Sequence, residues 1–156
     1  MQKAKIWINT HKEPGELELP KSLRTLIESG KWSEEEFVDS NLVILGDKAA
    51  QKLNREENEI WLLPPPFQKI STLVKKGEKF WTEVLTNYGE IDYDRSLVIA
   101  DFGPGSDSPI ILYYETSGIP SVHYLHWESS ETTCTHKWIK THGTFDKFAT
   151  DLGLIK

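Results

Sequence analysis

Asp101-Phe102-Gly103 opens the segment Gly103-Pro104-Gly105-Ser106-Asp107-Ser108-Pro109, and both stretches suggest phosphate chemistry. The triplet has the composition of a kinase metal-binding motif, and the glycines that of a phosphate cradle. A phosphate loop, however, needs a lysine and a Ser or Thr after its last glycine, and a helix whose first amides meet the anion. Here Pro109 and then Ile110-Ile111-Leu112-Tyr113-Tyr114 follow, a β-branched and aromatic strand. A dinucleotide fingerprint fails for the same reason. The kinase reading also lacks a glycine loop, a strand lysine and a catalytic loop. The segment therefore reads as a structural loop between antiparallel strands.

The second group with chemical potential is His123, His126, Cys134, His136 and His142, all side chains that ligate zinc. Their spacing is poor for one ion. Side chains alternate along a strand, so His123 and His126 face opposite ways. Only a chain turn at Leu125 would let a pair such as His126 and His136 converge. A zinc enzyme or sensor is thus the alternative reading, and the expectation is no metal and no cofactor.

Carboxylates offer less. Glu34-Glu35-Glu36 on a helix would face three directions, which suits a solvated surface. Asp92, Asp94 and Asp101 flank a strand entrance, and Asp101 with Asp107 would make a pair across the glycine turn. No histidine or basic residue is placed beside the Asp101 and Asp107 pair to make an acid–base couple. Gly-x-Ser-x-Gly does not occur, and Cys134 lies in a polar stretch, so no nucleophile is prepared. No catalytic residue is expected. The exposed acids Glu34, Glu35, Asp92 and Asp94 are instead the candidates for a protein contact surface.

The 156 residues carry a formal charge of −6 and a single cysteine. One cysteine rules out an intramolecular disulfide and fits a reducing compartment. Bulk binding to nucleic acid or to an anionic membrane is disfavoured by the acidic balance, which suits a basic protein partner. The start, Met1 to Ile8, has no apolar signal-peptide run, and no segment approaches a membrane span. A soluble, cytoplasmic single domain is the expectation. Six tryptophans supply large contact areas, most of them for a core, with Trp32 or Trp127 left for a contact surface.

The elements that position these residues can be read in order. Ala4–Asn9 alternates as a short strand, and Glu13–Glu16 is turn chemistry. Leu19–Gly30 reads as a helix, with Pro20 at its start, a stripe of Leu19, Leu23, Leu26 and Ile27, and Gly30 as its stop. Ser33 and Glu36 match a capping box for a second short helix. Leu42–Leu45 fits strand or helix, and Lys48–Asn54 fits helix. Pro64-Pro65-Pro66-Phe67 reads as a stiff connector, because proline cannot donate to a ladder. Lys76–Tyr88 carries Phe80, Trp81, Val84, Leu85 and Tyr88 at helical spacing. Strands follow at Arg95–Asp101, Pro109–Glu115 and Ser121–Trp127, with a short pairing at Lys137–Ile139. Thr144 caps a last helix carrying Phe145, Phe148, Ala149 and Leu152, which Gly153 ends. Helices first, an antiparallel meander later and a closing helix predict an α+β fold.

Laid in order, these residues resemble the SUKH superfamily of bacterial immunity proteins from polymorphic toxin systems, which also holds a fungal cell-wall-synthesis regulator. The matching features are the Leu19-Pro20-Lys21-Ser22-Leu23 helix start and the Ser96–Asp101 strand running into the glycine turn. Pro109–Tyr114, then Gly118 before Val122-His123-Tyr124-Leu125-His126-Trp127, and the Thr144–Leu152 helix also fit. The similarity spans roughly Leu19 to Leu154. The resemblance implies a non-enzymatic domain that binds another protein, such as a toxin with a basic nuclease cleft that it neutralises directly. A regulatory scaffold without a toxin partner is the further alternative. No contact residue carries over, because the family's contact surfaces vary.

Overall fold

The computed structural model describes residues 17–35, 41–52, 58–84, 91–102, 108–115, 118–132 and 134–155. The expectations for Ala4–Asn9, Glu13–Glu16, Glu36 and Asp107 lie outside the described residues. Helix α1 (Lys21–Glu28) forms where the apolar stripe predicts it and buries Leu23, Leu26 and Ile27. Gly30, at φ +80°, turns the chain back, so the Trp32 N–H reaches the Leu26 carbonyl at 3.0 Å. That left-handed geometry favours glycine.

Strand β1 (Leu42–Ile44) resolves the Leu42–Leu45 ambiguity in favour of a strand, and helix α2 (Asp47–Lys52) follows it. Then come β2 (Glu59–Leu62), β3 (Gln68–Lys69) and helix α3 (Ile70–Lys75). Here the structure corrects the Lys76–Tyr88 helix. The helix runs earlier and stops at Lys75, where Lys76 and Gly77 donate to Thr72 O and Val74 O. Gly77 lies at φ +75°, which a helix interior does not accept. Phe80–Val84 then forms a separate π-helical turn, and Leu85–Tyr88 lie outside the described residues. Helical spacing was present on both sides of Gly77, but the glycine divides it.

Strands β4 (Ser96–Asp101), β5 (Pro109–Tyr113), β6 (Ser121–Ser129) and β7 (Cys134–His142) make the meander. The seven-stranded sheet runs β1-β2-β4-β5-β6-β7 with every described pairing antiparallel, and β3 adds to β4 beside β2. The fold is α+β. A second correction concerns Lys137–Ile139, which is not a short pairing but the middle of nine-residue β7. It matches β6 from Val122↔His142 to Ser129↔Cys134, so the polar Glu128–Thr135 stretch, which reads as loop in the sequence, is strand at both its ends. Polar residues fit there because one side of an antiparallel sheet can face water.

Helix α4 (Phe145–Asp151) closes the chain as predicted, with the Thr144 hydroxyl accepting from Lys147 N at 3.3 Å and Gly153 at φ +76°. The Ser22 hydroxyl of α1 donates to the Asp146 carboxylate of α4, joining the two helices. Both pack on one side of the sheet over Ile60, Leu62, Ile99, Ile110, Leu112, Val122 and Tyr124. The other side buries Ile70, Leu73, Trp81, Ile91, Val98, Ile111 and Leu125. Strand β4 lies between the two layers, and Ser96 to Ala100 are all buried. No helix among the described residues is long and apolar enough to cross a membrane.

Candidate protein-binding face

Alternation along β5, β6 and β7 sorts their side chains by side. Val122, Tyr124 and Ile139 join the α1–α4 layer, whereas Tyr113, Leu125, Trp127 and Trp138 join the second layer. Register places Leu125 opposite Trp138, Trp127 opposite His136 and His123 opposite Lys140. Directly opposed side chains on one face are close enough to pack. The Trp127 and His136 rings meet edge-on at 5.1 Å, and those of Tyr113 and His123 at 5.3 Å. On this side the described helical elements lie against β3, β4 and the 3-10 turn Tyr93–Arg95. Trp127, Trp138 and Tyr113 are half-buried, and Lys140 is exposed.

Trp32 and Trp127 divide sharply. Trp32 is fully buried, with its Nε1–H donating to Leu63 O at 2.7 Å, so it is no contact residue. Trp127 stays accessible, and Trp138 joins it. The sequence singles out Trp127 as a contact candidate at the end of the Ser121–Trp127 strand, and it lies within β6. Trp138 was missed because the polar composition of 134–142 obscured the strand that carries it.

The zinc-type residues disperse. Strand β6 runs straight through Leu125 to Ser129, so His126 and His136 sit on opposite faces and do not converge. His126 lies 3.3 Å from the Tyr124 hydroxyl and 3.8 Å from Glu128, whose carboxylate takes Lys137 at 3.0 Å. The lysine's hydrogen bond and charge hold Glu128 below the usual carboxylate range. His142 is buried between β7 and α4, with Nε2 2.7 Å from Asp151 and Nδ1 2.9 Å from Thr141 Oγ1. The Cys134 side chain lies outside the described residues. Among the described residues no group of three His, Cys, Asp or Glu could hold a metal ion.

His123 lies on this face, and its proton affinity is lowered. Burial first, and the Lys140 charge second, push it down to about 4, partly opposed by Glu115. Its Nε2 rests 2.8 Å from Ser121 Oγ. The unfolded chain, with a histidine near 6.5, binds this proton more readily than the folded one. Stability is therefore complete above pH 6.5 and falls as pH drops from 6.5 towards 4. By urea unfolding, the wild type should lose about 2 kcal/mol more than His123→Gln between pH 7 and pH 4.5. Equal losses would remove His123 as the source.

Asp101 and Phe102 have structural tasks. The Asp101 carboxylate accepts Ser108 N–H at 3.2 Å, and Phe102 is buried, 5.2 Å from the Tyr124 ring and edge-on to it. The ends of the turn thus hold two antiparallel strands, as the sequence predicts.

The four acids separate into two pairs. Glu34 and Glu35 follow Trp32, which packs on Phe67 and Phe145 in the α1–α4 layer. Asp92 and Asp94 border the other face: Asp92 N–H donates to the Tyr113 hydroxyl at 3.1 Å, and the Asp92 carboxylate caps Asp94 N–H at 2.9 Å.

No protein-family model, curated protein or solved structure matches the chain.

Proposed function

We propose that the chain is a non-enzymatic protein-binding module that engages a basic partner through the second face of its sheet. The observation that carries this reading is the pair of half-buried tryptophans, Trp127 and Trp138, packed beside Leu125 on adjoining strands. Tryptophan and tyrosine dominate the energetics of protein interfaces because they combine a large apolar area with few rotatable bonds. Asp92 and Asp94 stand at the Tyr113 end of that face, with Lys140 beside His123, and the formal charge of −6 over the whole chain favours association with a basic partner. The SUKH-like order of elements extends the proposal to a cytoplasmic immunity protein that sequesters a toxin, with a basic nuclease cleft as the fitting target.

Tagged protein used to capture its partner from native lysate tests the reading, followed by co-expression with the captured protein. A basic partner whose toxicity is relieved by co-expression is the expected result. No partner, or a partner with no loss of toxicity, removes the immunity reading.

Charge supplies a sharper check. Asp94→Lys leaves the Asp92 carboxylate in place and should slow association about tenfold at low ionic strength, with the effect shrinking as salt shortens the screening length. Glu35→Lys, in the other layer, should leave the on-rate nearly unchanged. Equal slowing by both variants in stopped-flow measurements would place the contact elsewhere.

A further inference from the structure

At the β4 end the second face runs into a groove of about 520 Å³. The prolines create it. Strands β2 and β3 both pair with β4, at Ala100–Asp101 and at Leu97–Val98, and between them Leu63 N–H donates to Ile99 O at 2.9 Å. Pro64, Pro65 and Pro66 have no N–H to continue a ladder, so the chain bows away from the sheet. Val98 and Ala100 line the groove, as do Phe80 and Trp81, whose rings meet edge-on at 4.9 Å. Val98 and Trp81 belong to the same apolar layer as Leu125 and Trp127, so the groove continues the tryptophan face.

Glu78 and Asp101 line the groove, and no Lys or Arg is among its described lining residues, although the Lys76 ammonium donates to the Oε1 of lining Gln68 at 2.7 Å. Clefts of this size, mostly apolar with a few placed polar groups, are the usual form of a binding site. Two carboxylates oppose an anionic occupant and favour a cation, and aromatic rings reward a cation with a flat face. A guanidinium meets both conditions, because it stacks on rings and donates in a fork to carboxylates, while its stem lies along proline.

We infer that this groove receives an arginine side chain of the partner protein, Glu78 and Asp101 pairing with the guanidinium and Phe80 and Trp81 flanking it. The inference rests on the protein-binding reading above and names the partner chemistry that reading leaves open.

The probe is n-butylguanidinium, titrated into the full chain and followed by amide and indole NMR. Saturable shifts at Val98, Ala100 and the Trp81 indole are expected, with uncharged n-butylurea giving none at equal concentration. The double variant Glu78→Gln/Asp101→Asn should bind the probe about tenfold more weakly. Glu78 is exposed, and asparagine at 101 keeps an oxygen for Ser108 N–H. Butylurea shifting the same residues equally, or the double variant retaining full affinity, overturns the assignment. The two levels separate cleanly. A captured partner that binds the double variant as well as the wild type overturns the groove alone. Probe binding that the double variant loses, with no partner captured, supports the groove as a guanidinium site and removes the protein-binding reading.

Discussion

Trp32→Ala should lower unfolding free energy by about 3–5 kcal/mol, the usual range for a fully buried tryptophan, read from urea midpoints. Total stability of a domain is about 5–15 kcal/mol, so the variant should be partly unfolded at 37 °C. The indole is completely buried, meets Phe67 edge-on at 6.0 Å and lies 6.1 Å from Phe145. It thereby ties the Gly30 turn to α4 and to the end of the proline connector. Its Nε1–H also donates to Leu63 O, immediately before Pro64. Trp32→Phe separates these contributions. Phenylalanine keeps most of the ring contact and loses the hydrogen bond, so about 1 kcal/mol is expected. Leu63 and Phe67 line the groove, so this variant should also disturb the Leu63 and Phe67 amide resonances while the Trp127 indole stays in place. A loss below 1 kcal/mol for the alanine variant would contradict the buried position.

The prominence of Trp32 shows what the sequence could and could not carry. Helices α1 and α4 were legible because each combines an apolar stripe with a stop signal, Gly30 and Gly153, and α4 adds the Thr144 cap. Strand β4 was legible because Leu97-Val98-Ile99-Ala100 has no polar residue, as burial on both sides requires. Trp32 was not placeable, because its burial depends on Phe67 and Phe145, distant in the chain. The Lys76–Tyr88 helix misled because periodicity reports a face and not the continuity of the backbone, and Gly77 breaks that continuity. The acids Glu34, Glu35, Asp92 and Asp94 were identified by composition, which cannot say that Asp92 donates its N–H to the Tyr113 hydroxyl and caps Asp94 N–H. The groove was invisible for a related reason. Three adjacent prolines announce a departure from a sheet, but the opening they leave depends on β3 returning to the same strand that β2 leaves.

Trp127→Ala and Trp138→Ala should each raise the dissociation constant for the captured partner by at least about 30-fold, as interface hot spots do. Folding should suffer far less, by about 1 kcal/mol each, because both side chains are half-buried rather than enclosed. The double variant should fall short of the product of the two, since the residues share Leu125 as a neighbour and their contributions are coupled. Ile119 is the control. It is 69% exposed and lies with Lys21, Ser22 and Asp146 beside α1 and α4, on the other side of the sheet. Ile119→Ser should leave affinity unchanged; a loss comparable to that of Trp127→Ala would move the interface to the helical layer. The kinetics distinguish packing from steering. Loss of an apolar anchor acts on dissociation, whereas loss of a peripheral charge acts on encounter. The tryptophan variants should therefore dissociate faster with a nearly unchanged on-rate, and Asp94→Lys should do the reverse. Slow association by the tryptophan variants, with unchanged dissociation in surface plasmon resonance, would mean that Trp127 and Trp138 are not in the interface.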